Sequence, residues 1–234
     1  MSTMSQPVYL PTSREIHDAF LEEMTSLGGV VPHVYEDGQR LFARGVLAAD
    51  AEIRPGDTVR AGVAVRVSAS EIIVHPYTFR TICSNGAIVA HALESRWLER
   101  SQSTEVFLPT YDIALSLVGF RAAVRACAAP EAFDAAADEM RTAAQVEAEM
   151  TLPLLPALGR VPQHVAAHVM RAILQRFAAD GDQSTFGLMN AVTSIARDTD
   201  DVEARWSLEE LGGSIPARLG RQPRTVARTL ANAG

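Results

Sequence analysis

The chain has 234 residues, of which 47% are hydrophobic and 21% charged, and its formal net charge is −7 at pH 7. This acidic balance excludes a uniformly basic coat of the kind that binds nucleic acid over a whole surface. Two cysteines are too few for a disulfide scaffold, and no apolar run approaches the ~20 residues of a membrane-spanning helix. The start lacks a basic segment followed by an apolar stretch, so we predict no secretory signal and a cytoplasmic location.

The positive charge is unevenly distributed along the chain. All 21 basic residues are arginines. They slightly outnumber the acids between residues 40 and 100, whereas residues 131–210 are strongly acidic. A local basic face is therefore compatible with the acidic total.

In chain order, the first elements predict a helix and then a hairpin. Residues 1–12 are predicted to be a flexible arm, because they are polar and contain two prolines. Ser13 opens an amphipathic helix with an apolar residue at every fourth position, and the Gly-Gly pair at residues 28–29 ends it. The Asp-Gly dipeptide at residues 37–38 predicts a β-hairpin, because both residues tolerate the backbone angles of a tight turn.

The clearest strand signal lies between residues 59 and 68. Valines alternate there with small or polar residues, which is the period-two pattern of a half-buried strand. We predict that the valines face the core and that Arg60 and Arg66 lie on the other side. The next run contains Pro76, which cannot donate a ladder hydrogen bond, so we predict an edge strand or a bulge there. The run ends at Asn-Gly, residues 85–86, which is a strong turn dipeptide.

The second half of the chain is predicted to be helical. Apolar residues recur there with helical periodicity, and prolines interrupt the pattern at positions 153 and 156. The last helix is predicted to run from Val202 to Leu211, because a Gly-Gly pair follows it. Residues 216–234 are basic and lack periodicity, which predicts a disordered tail.

These elements predict an α+β fold. A mainly antiparallel sheet covers about residues 30–90, preceded by an N-terminal helix, and a helical C-terminal half packs on one sheet face. We predict a single domain over residues 13–215, with a sheet-rich part at 13–100 and a helical part at 101–215.

No set of residues makes a case for catalysis, so we expect no enzyme, no catalytic residue and no cofactor. Cys83 could be paired with His75 or His91, but nothing supplies an oxyanion donor. His164 and His168 are spaced to face one metal, but the intervening residues are Val-Ala-Ala and lack the glutamate of a zinc-protease motif. We therefore expect no metal site.

Arginine and aromatic side chains are interleaved on the predicted sheet. Arg40, Phe42 and Arg44 share one strand face, which suits phosphate contacts and base stacking. The alternative is a solvated strand edge with one buried phenylalanine. The candidate nucleic-acid-binding residues are Arg40, Phe42, Arg44, Arg60, Arg66 and Arg80.

Two pairs of stretches carry a family resemblance. The first pair reads GDTVRAGVAVRVS at residues 56–68 and FRTICSNG at 79–86, where an arginine precedes a turn of Cys83, Ser84, Asn85 and Gly86. The second pair reads NAVTSIAR at residues 190–197 and RWSLEELGG at 205–213. They resemble the phage/plasmid-like proteins grouped as domain of unknown function family 932. The family usually has an Asn-Ser pair with glycines after the first arginine strand, where this chain has Val-Ser-Ala-Ser.

The resemblance implies a prokaryotic mobile-element origin and supplies no established activity. With the arginine pattern, it favours an accessory protein that binds nucleic acid, with single-stranded DNA favoured. Such a protein would act in strand binding or annealing during recombination, as a homo-oligomer and away from membranes. The alternative is a non-enzymatic protein-interaction or host-takeover module that acts through the acidic helical half, residues 131–210.

Overall fold

The computed structural model describes residues 11–99, 113–148 and 163–219. Six helices lie in these segments: α1 Ser13–Ser26, α2 Ile113–Cys127, α3 Pro130–Ala143, α4 Gln163–Asp180, α5 Thr185–Arg197 and α6 Val202–Leu219. The same segments contain six strands: β1 Val30–Glu36, β2 Leu41–Arg54, β3 Asp57–Val67, β4 Glu71–Arg80, β5 Asn85–Ile88 and β6 Arg96–Glu99. Most of the predicted arm, residues 1–10, and most of the predicted tail, residues 220–234, lie outside the described residues.

The helix and the hairpin at the start of the chain are confirmed. α1 begins at Ser13, and Thr12 caps it, because its hydroxyl accepts from the Glu15 N–H while the Glu15 carboxylate accepts from the Thr12 N–H. β1 and β2 pair antiparallel around the predicted turn, in which Gly38 has a φ of 85°.

All the strands belong to one antiparallel sheet in the order β1-β2-β3-β4-β5, and β6 also pairs with β4. β5 pairs with residues 77–80 of β4 and β6 with residues 71–74, so β4 is an interior strand, and its register with β3 runs unbroken through Pro76. The predicted edge strand or bulge is therefore wrong. Pro76 lies between these two pairing segments, and its carbonyl accepts from the Val89 N–H. The position that lacks an N–H thus faces the break between β5 and β6, where no ladder bond is lost.

The turn after β4 differs from the prediction. Residues 81–84 form it, and Ser84, with a φ of 51°, supplies the left-handed conformation. Asn85 and Gly86 open β5 instead of forming the turn. The reason is packing: Asn85 is 2% exposed and bonded to α5, and the Tyr77 ring fills the space that a side chain at Gly86 would need.

The α+β class is confirmed, and the valine side of β3 faces the main core as predicted. Phe20 of α1, Phe120 of α2 and Phe133 of α3 belong to the same hydrophobic cluster as these valines. The opposite sheet face is also covered, because Trp206 of α6 packs there with side chains of β2, β3, β4 and β5. The helical half therefore does not stay on one face: α6 covers the second one.

α6 is longer than predicted. It continues through Gly212, Gly213 and Pro216 to Leu219, so the predicted end at Leu211 is wrong. A side chain at Gly213 would collide with the carbonyl of Ile88, and one at Gly212 would collide with Thr193. These glycines therefore serve close packing of the helix against β5 and α5 and do not end it.

Candidate functional site

The structure does not place the predicted nucleic-acid-binding residues on one open surface. Phe42 is 1% exposed and Arg44 is 4% exposed, because α6 lies over this part of the sheet. The part of the predicted face that carries Phe42 and Arg44 is therefore a buried layer between the sheet and α6. Trp206 of α6 is buried against this part of the sheet. Arg44 and Arg66 of the sheet pair with Glu209 and Glu203 of the same helix.

A buried ion cluster joins β2 to α6. Arg44 Nε donates to Glu209 Oε2 at 2.6 Å, and Arg205 Nε donates to Glu209 Oε1 at 3.1 Å. Burial raises the pKa of Glu209, and the two guanidinium groups oppose this shift. The Arg44 guanidinium also lies 5.8 Å from the Trp206 ring centroid. Each charge in the cluster thus has an opposite charge or a π-system beside it.

Trp206 also has a polar contact through its indole nitrogen. Its indole Nε1 donates to Glu210 Oε1 at 2.9 Å, and His75 Nε2 lies 3.6 Å from the same oxygen. Tyr77 is 2% exposed, and burial raises the pKa of its phenol. His75 and Tyr77 of β4 thus contact Glu210 and Trp206 of α6 and fix the position of this helix on the sheet, which is a structural role.

Arg60 and Arg80 lie apart from this cluster. Arg60 is on the same sheet face as Arg66 but six residues along β3, a separation of about 20 Å, and its Nε donates to the Leu47 carbonyl at 2.9 Å. Arg80 lies on the opposite face, where its guanidinium donates to both carboxylate oxygens of Asp57 at 2.7 and 2.6 Å. The six predicted residues therefore do not form one binding surface.

The two pairs of stretches that carry the family resemblance meet in the structure. Asn85 Nδ2 donates to Thr193 Oγ1 at 2.5 Å, and Arg197 Nη1 donates to the Cys83 carbonyl. Cys83 Sγ accepts from Arg80 Nη1 at 3.2 Å. These residues therefore fix the turn after β4 onto α5, and this contact is the local role that the structure gives them.

One group of partly exposed aromatic and charged side chains surrounds the buried ring of Phe42. It lies where the β1–β2 turn meets the start of α6, and we call it the rim cluster: Tyr35, Arg40, Phe42, Arg66 and Glu203. The Tyr35 and Phe42 ring centroids are 6.2 Å apart. Arg40 lies 5.9 Å from the Tyr35 centroid, and Arg66 lies 5.9 Å from the Phe42 centroid. Arginine and aromatic groups are thus interleaved here in space.

The charges of the rim cluster are nearly balanced. Glu203 is 3.1 Å from Arg66 Nη2 and 3.7 Å from Arg40 Nη1. Arg40 also donates to Asp37, and these hydrogen bonds lower the pKa of Asp37 to about 2. The side chain of Arg40 is 41% exposed and that of Arg66 is 27% exposed, with Arg66 Nε buried, so Arg40 is the more accessible of the two.

Sequence reasoning missed two members of the rim cluster. Tyr35 is opposite Phe42 in the β1–β2 register, so the predicted hairpin already implied that the two rings share a face. Glu203 comes from a helix far along the chain, and its position over Arg40 and Arg66 has no local signal in the sequence.

The residues considered for catalysis have other partners. His91 Nε2 is 2.8 Å from a Glu139 carboxylate oxygen, and His75 lies beneath α6. Cys127, the second cysteine of the chain, is not one of these candidates; it is buried, and burial raises the pKa of its thiol to about 12. Within the part of the chain that the structure describes, no three His, Cys, Asp or Glu side chains are arranged to hold a metal ion. His168 is exposed, and the side chain of His164 lies outside the described residues.

Every helix within residues 11–99, 113–148 and 163–219 is too short or too polar to cross a membrane. No protein-family model matches the chain, and neither a curated protein nor a solved structure matches it significantly. The resemblance to the phage/plasmid-like proteins therefore stays a prediction that depends on the quoted stretches.

Proposed function

We propose that the protein is a cytoplasmic accessory protein of a phage or plasmid that binds nucleic acid, with single-stranded DNA favoured, through the rim cluster. The observation that carries the proposal is Tyr35, a ring that is 38% exposed and has the guanidinium of Arg40 beside it. Arg66 lies on the same rim, behind Phe42. One aromatic face and two guanidinium groups are the parts that single-strand binding requires.

The chemistry favours a single strand over a duplex. A base can stack on Tyr35 only if it is free of its neighbours in a double helix, and such a stack contributes about 1–3 kcal/mol. Arg40 and Arg66 would then bind the flanking phosphates with charge-assisted hydrogen bonds. The adjoining part of the sheet face, around Trp206, is unavailable, since α6 covers it.

The rim cluster accommodates only one or two nucleotides, so one copy binds weakly. Tight binding then requires several copies side by side on a strand. A homo-oligomer that presents many rim clusters would give this avidity, because each further contact becomes intramolecular. The proposed role in strand binding or annealing during recombination therefore depends on such an oligomer.

Fluorescence anisotropy with labelled single-stranded DNA, duplex DNA and RNA tests the proposal. We expect the tightest binding to single-stranded DNA, and we expect Tyr35→Ala and Arg40→Gln each to weaken it by about fivefold or more. Arg141→Gln is a matched control, because Arg141 is also 41% exposed and also pairs with an acid three residues away, on α3. Equal losses for Arg40→Gln and Arg141→Gln would contradict a binding site at the rim.

The second candidate function is a protein-interaction module, and one observation favours it. α3 exposes Glu131, Asp134 and Asp138, which recur at helical spacing on its solvent side. If no polynucleotide binds at low salt, we would assign the function to protein binding through this acidic surface. A basic partner would then have to lose affinity for the variant Glu131→Gln/Asp134→Asn.

A further inference from the structure

Glu203 bridges the two arginines of the rim cluster with one carboxylate oxygen for each. Its Oε2 is 3.1 Å from Arg66 Nη2, and its Oε1 is 3.7 Å from Arg40 Nη1. The side chain of Glu203 is 37% exposed, so its carboxylate is open to exchange with an anion from solvent. Arg40 immediately precedes β2 and Arg66 lies near the end of β3, and the carboxylate of Glu203 contacts both.

We propose that Glu203 marks the position of a backbone phosphate and competes with nucleic acid for Arg40 and Arg66. A phosphodiester also presents two unesterified oxygens, and arginine binds phosphate and carboxylate with the same donor geometry. Exposed ion pairs contribute little to stability, so an incoming phosphate can displace the carboxylate at small cost. This inference rests on the proposed function and adds a residue that sets the affinity of that site.

The carboxylate also repels phosphate when it has been displaced, because it remains on the first turn of α6 beside the two arginines. Glu203 therefore lowers the affinity of the rim for any polyanion. Only a ligand that adds another contact, such as a base stacked on Tyr35, would overcome this repulsion. The acid thus favours a single strand with accessible bases over a bare polyanion.

The experiment compares Glu203→Gln with the wild-type protein in anisotropy titrations with labelled oligothymidylate and with unlabelled polyphosphate as competitor. We expect Glu203→Gln to bind oligothymidylate about fivefold more tightly and to lose part of its preference over polyphosphate. Asp200→Asn is the matched control, because it removes the same charge from an exposed residue near the start of α6. We expect less than about a twofold change for this control.

The double variant Glu203→Gln/Arg66→Gln completes the test. If the carboxylate acts by competing for Arg66, removing it from the Arg66→Gln protein has a smaller effect on affinity than removing it from the wild type. Unchanged or weaker binding by Glu203→Gln would overturn the inference, as would an equal gain for Asp200→Asn. Absence of oligothymidylate binding by the wild-type protein would instead reject the proposed function itself. Melting curves of all variants confirm that each one is folded.

Discussion

At the scale of single residues, Arg44 and Glu209 form an ion pair inside the core. Their side chains are 5% and 2% exposed, and the pair connects residues 165 positions apart. Removing one partner leaves a buried charge with fewer partners, which costs about 3–5 kcal/mol. We therefore expect Arg44→Met to lower the free energy of unfolding by about that amount, measured by urea denaturation.

Arg14→Met is the control for this prediction. Arg14 pairs with Asp18 on α1, but these side chains are 68% and 51% exposed. An exposed pair of this kind contributes about 0–1 kcal/mol, because water already solvates both charges. Equal losses of stability in the two variants would mean that the buried Arg44–Glu209 pair contributes no more than an exposed pair.

The lowered pKa of Asp182 predicts how the stability of the protein depends on pH. Burial alone would raise its pKa, but hydrogen bonds from Arg54 and Ser184 outweigh this effect and lower the pKa below the ordinary value. A lowered pKa means that the native state binds fewer protons than the unfolded chain near pH 4, so the stabilisation is present above about pH 4 and is lost as the pH falls.

We therefore expect Asp182→Asn to be less stable than the wild type at pH 7, and we expect the difference to shrink below about pH 4. Urea denaturation at several pH values measures this difference. A gap that stays constant down to about pH 2 would mean that the charge of Asp182 is not what binds Arg54, which donates to it at 2.7 Å.

At the scale of elements, two helical glycines should respond in opposite ways to the same substitution. A Cβ at Gly213 of α6 would collide with the Ile88 carbonyl, whereas a Cβ at Gly119 of α2 would have no described atom within 4 Å. We expect Gly119→Ala to stabilise the protein by about 0.5–1 kcal/mol through helix propensity. Gly213→Ala should destabilise it, since α6 must move away from β5. Thermal unfolding of both variants measures the two signs, and stabilisation by Gly213→Ala would contradict the close packing of α6.

The Gly-Gly pair of α6, residues 212–213, shows why some elements could be predicted from the sequence and others could not. The β3 strand and the start of α1 were predictable because alternation and capping are local signals. The end of α6 was not, because a Gly-Gly pair after an apolar row also marks a helix end. Only the neighbouring strand decides between these two roles, and β5 lies more than 100 residues earlier in the chain.

The candidate site was predictable only in part for a similar reason. Alternation correctly placed Arg60 and Arg66 on the face away from the valines. It carried no information about what would cover that face. The covering helix is contributed by residues 202–219, and its carboxylates pair with arginines of the sheet. An arginine pattern on a strand therefore does not distinguish a phosphate-binding surface from one half of a buried ion pair.

At the scale of the whole molecule, the basic and acidic parts of the sequence neutralise each other. Arg44 and Arg66 of the sheet pair with Glu209 and Glu203 of α6, and Arg54 pairs with Asp182 before α5. The acidic helical half is thus partly a counter-charge for the sheet. The pairs of Arg44 and Arg54 leave fewer sheet arginines to bind phosphate, which limits how strongly affinity can depend on salt.

The salt dependence of single-strand binding follows from this count. Each phosphate contact contributes about −0.7 to the slope of log K against log salt concentration. Contacts from Arg40 and Arg66 alone therefore predict a slope of about −1.4, whereas an open face using Arg40, Arg44, Arg60 and Arg66 would give about −2.8. A titration series with labelled single-stranded DNA measures the slope.

Arg221, Arg224 and Arg228 follow the described residues, so the same series is run with all three changed to Ser. A slope steeper than about −2 that survives this change would mean that α6 leaves the sheet when DNA binds, and the rim would then be only the entrance to the binding surface.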